Sequence, residues 1–365
     1  MKVRVIEYLN VRIGKPSVNA PTYQYIAPGS ELEVEETFYN GDSFEGNNKW
    51  LKDGANNYYW AGGLSLDSPS IGELTNKKSF DWFKQLNIEK IWSAYNEMGE
   101  NVTVAVLDTG FSLENKDLFS AVVKTNVFIN YVNAPKCNNI SDKNGHGTRC
   151  ASIIGARNDG DYSIGIAPKC KLIIGKISCN REIRESDSII NGIQWAIENG
   201  ADIISISYGI NFSTVELKKI FEDRLIKIVE GKRILIFASA GNNSDKNPAF
   251  GENYPASFAS CISIGSTDDD KFSPLTLQSA ATIIHAPGVN IESYGLEPIP
   301  TPETGTSFST PIVAGIVALV VSYYKKKNNG NWSPNEIMKI IYSTSPLLIG
   351  NKKKIDPLAI FKKLT

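Results

Sequence analysis

ETGTSFSTPIVAGIVAL, residues 303–319, reads as a tight polar turn that tips into a buried helix. Gly305 and Thr306 permit a sharp bend, Ser307 stands at the helix start, and Pro311 falls early enough for a first turn to tolerate it. From Ile312 to Val321 almost every residue is apolar, the pattern of a helix enclosed on all sides. The run Pro311–Tyr324 is too short and too interrupted to read as a bilayer span. Backbone N–H groups at such a helix start lack partners, and the dipole there favours negative charge. A hydroxyl in that place suits a nucleophile whose attack creates an oxyanion. The plainer alternative is an N-cap, a role that Ser and Thr commonly fill.

A serine nucleophile needs a base, and the base needs a group that orients it. The chain holds only two histidines. His146 lies in NGHGTRCASIIGA, a glycine-flanked turn entering a second apolar helix, whereas His285 ends the hydrophobic strand of TIIHAPGV and reads as a packed core residue. Asp108 closes the strand in VTVAVLDTG, where a buried orienting carboxylate is expected. ILIFASAGNN is another buried strand, ending at Gly241 and Asn242, whose amide is placed to donate to an oxyanion.

VAVLDTG, NGHGTRCAS, SAGNN and GTSFSTPIVAG, in that order, resemble the four signature segments of the subtilisin-like serine proteases, or subtilases, over roughly residues 74–365. The resemblance implies a parallel-sheet, three-layer α/β domain and a serine endopeptidase working through an acyl-enzyme. By position it implies Asp108, His146 and Ser307 as the triad and Asn242 as the oxyanion amide. Ser207 and Gly209, in SISYGI, match the substrate-binding edge, with Gly241 beside them; as a bare S-x-G the first pair would mark only a turn. GTSFS is not the G-x-S-x-G elbow of lipases and esterases, which argues against an α/β-hydrolase. Cys150 falls where proteinase-K-like members carry a thiol beneath the histidine, implying sensitivity to mercurials. Arg149 stands where the family usually has a second histidine, so the charge of the cleft rim differs. The chemistry requires no cofactor. Structural calcium is the metal to weigh, because Asp117, Asp159 and Asp161 align with a family site, although acidic turn residues are usually only solvated. The family's inhibitory propeptide is expected to have no counterpart here, its place being taken by the N-terminal segment described next.

Residues 1–67 differ from the rest. Short alternating runs (VRVIEYL, QYIA, ELEVEETFY, YYWAGG) between Gly, Pro and Asn clusters read as small all-β. The segment resembles a bacterial SH3-like barrel, so the chain divides into an SH3-like domain, 1–67, and a peptidase domain, 68–365, with DSPS (Asp67–Ser70) as linker. Its aromatics, Tyr23, Tyr25, Phe38, Tyr39, Trp50, Tyr58, Tyr59 and Trp60, either fill the barrel core or line a peptide groove. The barrel is expected to bind a peptide or dock on the peptidase domain.

From Asn101 strands alternate with helices, the pattern of a parallel sheet covered on both faces. Expected strands are Val102–Leu107, Val122–Phe128, Leu172–Ile177, Asp202–Ser207 and Arg233–Ala238. SFDWFKQLNIEKIWSAYNEMG is helical in pattern. So is Ser213–Glu230, opening with a Ser213–Glu216 capping box and repeating Leu217, Ile220, Phe221, Leu225 and Ile228. Asp187–Asn199 and NWSPNEIMKIIYSTS read as further helices.

In 365 residues, 38 basic side chains against 39 acidic ones give a net charge of −1, and nothing points to nucleic acid or an anionic membrane. Five cysteines with no C-x-x-C pair indicate neither a disulfide framework nor a zinc site. MKVRVIEYLNVRIG lacks the apolar segment of a secretory signal, so a reducing cytoplasm is the expected home. Two other functions stay open: a non-catalytic peptide-binding scaffold, and a macrocyclase or transamidase sharing the acyl-enzyme but excluding water.

Overall fold

The computed structural model describes residues 2–5, 9–27, 30–35, 37–44, 47–65, 80–129, 137, 139–157, 164–179, 186–243, 251–277, 279–296 and 299–365. Asp159, Asp161 and the linker Asp67–Ser70 lie outside them, as does most of the pocket wall between Asn243 and Tyr254.

Five parallel strands begin the sheet: Thr103–Asp108, Val122–Val127, Lys171–Lys176, Ile203–Ile206 and Leu235–Ser239. Each falls within one or two residues of the expected span; the inner strands, buried on both faces, declare themselves by near-continuous hydrophobicity, while the edge strand Val122–Val127 is only partly buried. They pair in the order Val122–Val127, Lys171–Lys176, Thr103–Asp108, Ile203–Ile206, Leu235–Ser239, all parallel. Ile262–Asp268, Thr282–Pro287 and Lys352–Lys354 continue the parallel sheet, and Leu347–Ile349 closes that edge antiparallel.

The helix Thr306–Lys327 is buried from Thr306 to Tyr323 and forms the centre of the larger core on one sheet face. Among the described residues it is the one helix long and apolar enough to cross a membrane, and its apolar window lies wholly inside the protein. The other face packs Ser186–Glu198 and Val215–Val229 over Ala105, Leu107, Ile204 and Ile236. These layers make the α/β architecture that the sequence implied.

Four local expectations change. Pro311 is the sixth residue of its helix, not a first-turn residue. SFDWFKQLNIEKIWSAYNEMG forms two helices, Asp81–Gln85 and Ile88–Tyr95, because Asn87 adopts a left-handed conformation (φ 54°) between them. Thr214, not Ser213, caps Val215–Val229, its side chain accepting from the Leu217 N–H at 3.2 Å. On that helix only Phe221 and Leu225 are buried, while Leu217 and Ile220 are exposed, so the apolar repeat is wider than the face it buries.

The N-terminal part is all-β, as expected. Lys2–Val5 pairs antiparallel with Glu31–Glu33 and Leu64–Ser65. Leu9–Ile13, Thr22–Ile26, Tyr39–Phe44, Asn47–Lys52 and Asn57–Trp60 form a second antiparallel sheet. Trp50, Tyr58, Tyr59 and Trp60 are buried in a separate core drawn only from residues 3–64, which assigns those four aromatics to packing. Phe38 is exposed, and the side chains of Tyr23 and Tyr25 lie outside the described set.

Candidate active site

Asp108 is the last residue of its strand, at the carboxyl end of the parallel sheet where open α/β sheets place their sites. It is buried, and its Oδ1 accepts from the Thr109 N–H at 2.8 Å and lies 2.7 Å from His146 Nδ1. The imidazole begins the helix His146–Gly155, with its Nε2 buried and making no hydrogen bond. Gly147 sets this approach: a Cβ there would stand 2.3 Å from the Gly110 carbonyl oxygen, so only glycine lets the helix start press on the loop after Asp108. The Gly147 N–H donates to Thr109 Oγ1 at 2.9 Å, a second stitch between the two segments.

Ser307 is the second residue of its helix and is buried. Its Oγ donates to the Ser207 carbonyl at 3.4 Å, and the bond to His146 Nε2 is not closed in this state, a looseness common before substrate arrives. Two contacts bring the partners together. Cys150 Sγ lies 3.8 Å from His146 Nδ1 and donates to the Ser307 carbonyl at 3.5 Å. The next side chain after the serine, Phe308, lies with its ring centroid 5.4 Å from that of His146.

The Ser307 carbonyl has a particular need. In a regular helix it would accept from the N–H of residue 311, but Pro311 has none. Ser207 Oγ fills the vacancy at 2.6 Å, with the Cys150 thiol behind it. Ser207 therefore braces the serine from below, a role that its spacing in the sequence did not reveal.

Asn242 follows the strand Leu235–Ser239 and turns its Oδ1 to the Thr306 N–H at 2.9 Å and hydroxyl at 3.2 Å. That orientation commits the amide oxygen to the serine loop. Gly241, at φ 96°, donates to Thr306 Oγ1 at 3.2 Å. At Gly209 a Cβ would stand 2.1 Å from the Asn253 side chain, so glycine is what lets that side chain pack against this segment. The Ile210–Tyr254 bridge, with bonds of 2.8 and 3.1 Å, ties the same segment to its neighbour.

The disulfide Cys137–Cys179 is a departure from the sequence reading, in which an odd cysteine count concealed a single pair 42 residues apart. Cys150, Cys170 and Cys261 are free thiols, and burial pushes the latter two up to about 12. Arg149, on the histidine helix, donates to the Ser293 carbonyl at 2.9 Å, so its charge is anchored to the hairpin Ile291–Ser293/Thr301–Glu303 that leads into Ser307. His285 is buried, its Nδ1 3.1 Å from the Ile283 carbonyl, and burial lowers it to about 4; it is the core histidine expected.

Among the described residues, Asp108, His146 and Cys150 form the one cluster of three metal-type side chains, and none gathers on Asp117. Asp117 is buried, and its carbonyl accepts the N–H of Arg157, a buried cationic residue. The other two candidate calcium ligands, Asp159 and Asp161, lie outside the described residues.

Residues 99–359 match the model of the subtilase family. The chain is 32% identical to the major intracellular serine protease of Bacillus subtilis, over 76% of this chain and 88% of that protein. It is 30% identical to subtilisin DY of Bacillus licheniformis, over 62% of this chain and 78% of that one. Similarity to the minor extracellular protease Epr of Bacillus subtilis is 31%, over 73% of this chain but only 39% of Epr.

Proposed function

The chain belongs to the subtilase family and is a serine-type endopeptidase, and from that premise we propose that Asp108, His146 and Ser307 are its catalytic triad. The 2.7 Å Asp108–His146 contact, with Ser307 beginning the adjacent buried helix, is the observation that carries the reading. His146 Nε2 takes the proton of Ser307 as Oγ attacks a peptide carbonyl; Asp108 holds Nδ1–H and the imidazolium that results. The acyl-enzyme forms as the imidazolium returns that proton to the departing amine, and water reverses the sequence. The Asn242 NH2 and the Ser307 N–H receive the oxyanion, supported by the orientation in which Asn242 Oδ1 is bound to Thr306. Ser207, Gly209 and Gly241 form the peptide-binding edge through backbone groups.

Subtilases need no cofactor for this chemistry. Structural calcium, with Asp117, Asp159 and Asp161 as its candidate ligands, belongs to this proposal; a chelator that leaves the thermal unfolding midpoint unchanged would dismiss it. Peptides and proteins are the substrates. The division into 1–67 and 68–365 is supported by the separate N-terminal core, and the SH3-like reading with its peptide-binding or docking role belongs to the same proposal. A cytoplasmic home is supported by the intracellular relative and opposed by the Cys137–Cys179 bond, which belongs to oxidising compartments. Thiol counting on protein drawn from its own cells under non-reducing conditions decides it.

A fluorophosphonate should label the native enzyme at Ser307, and Ser307→Ala should abolish labelling. Labelling that persists in the alanine variant would overturn the assignment. Mass analysis of products separates hydrolysis from cyclisation, which loses a water.

A further inference from the structure

Among the described residues, Lys176 is the one lysine in the set of largest fully buried side chains, with no exposed surface. Its strand pairs with the Asp108 strand in a register that sets Lys176 directly opposite Asp108. Beyond it, the Ile177 and Ser178 N–H groups both donate to the Asp108 carbonyl, at 2.8 and 3.3 Å. Its ammonium donates to the Ser141 carbonyl at 2.7 Å. The next residue, Asp142, is a buried carboxylate that collects four donors: the Asn144 and Gly145 N–H groups at 2.9 Å, and the Thr148 N–H and hydroxyl at 3.0 and 2.7 Å. Thr148 Oγ1 in turn accepts the Ser112 N–H at 3.0 Å, from the loop that follows Asp108. Burial lowers the Lys176 pKa, while the charge of Asp142 raises it.

A buried ammonium is expensive unless charge and hydrogen bonds compensate it. Here the compensation runs through the loop that supports the histidine helix. We infer that Lys176 and Asp142 are positioning residues for the Asp108–His146 pair, the lysine holding the 141–142 loop to the sheet and the aspartate holding the start of the histidine helix to that loop. The inference rests on the triad reading above and adds to it the groups that keep its first two members in register. Neither touches substrate, so their removal acts on turnover and leaves peptide binding alone.

The test uses full-length Lys176→Gln, Lys176→Met, Asp142→Asn and the double variant Lys176→Met/Asp142→Asn. Each is shown to be folded by circular dichroism and is assayed on a chromogenic peptide. Gln keeps a donor for the Ser141 carbonyl and removes only the charge. Small misplacements of catalytic groups cost up to about a hundredfold, so kcat is expected to fall about tenfold in the Gln variant and further in the Met variant, with KM within about twofold. The double variant should lose less than the product of its two single losses, since neither charge is then left alone. If Met does not fold, Gln decides. A folded Gln variant with unchanged kcat, or a loss confined to KM, overturns the inference. Absence of fluorophosphonate labelling in the unmodified enzyme fails the triad reading itself, and the inference with it, whereas normal labelling with indifferent variants fails the inference alone.

Discussion

Replacing Ser207 by alanine removes the hydroxyl that donates at 2.6 Å to the carbonyl orphaned by Pro311. Ser307 is buried, so no water replaces the donor, and the longer thiol contact from Cys150 at 3.5 Å is the weaker of the two. Leaving a buried acceptor unsatisfied costs about 1–3 kcal/mol. Ser207→Ala should therefore destabilise the protein by about 2 kcal/mol. Pro311→Ala restores an N–H that the same carbonyl can accept, so in that background Ser207→Ala should cost about 1 kcal/mol less. The four proteins of this cycle are best made with Ser307→Ala, which prevents self-digestion, and unfolded in guanidinium chloride. A coupling energy near zero, or a larger Ser207→Ala penalty in the alanine background, would refute the account of how Pro311 and Ser207 depend on each other.

Other consequences can be measured directly. Asn242→Ala should reduce kcat by about a hundredfold or more at nearly constant KM, because it removes one oxyanion donor; a drop confined to KM would show a binding role instead. A mercurial should inactivate the enzyme through Cys150, whose Sγ lies 3.8 Å from His146 Nδ1, and Cys150→Ala should protect activity even where the partly exposed Cys261 still reacts. Retained activity in the treated native enzyme would remove Cys150 from the site. His285 is neutral in the fold down to about 4, whereas the unfolded chain protonates it from about 6.5. The unfolded state binds the extra proton, so stability attributable to this residue falls as the pH drops between those values, by about 3 kcal/mol in all. Unfolding curves of His285→Phe and the parent across that range should diverge accordingly, and parallel curves would contradict it.

Much of this enzyme was legible in the order of its residues. Continuous apolar runs ending in Asp108 and Gly241, and the helix after Ser307, announce buried strands and a buried helix because their burial on every side needs no tertiary information to predict. With two histidines in the chain, the choice of base was short. The small β domain declared itself through alternation, although the roles of its aromatics did not: Trp50 and Tyr59 had to be seen buried, and Phe38 exposed, since any half-buried strand presents the same pattern. What only the folded chain decided are contacts between residues far apart in sequence. Ser207 bonds to a carbonyl 100 positions away, Cys137 finds Cys179, and Lys176 reaches back to Ser141. None of these partners has a helical or strand periodicity to betray it, because each is fixed by how crossovers bring strand ends together. Local propensity writes the elements; the closure of loops around them selects which buried polar groups meet.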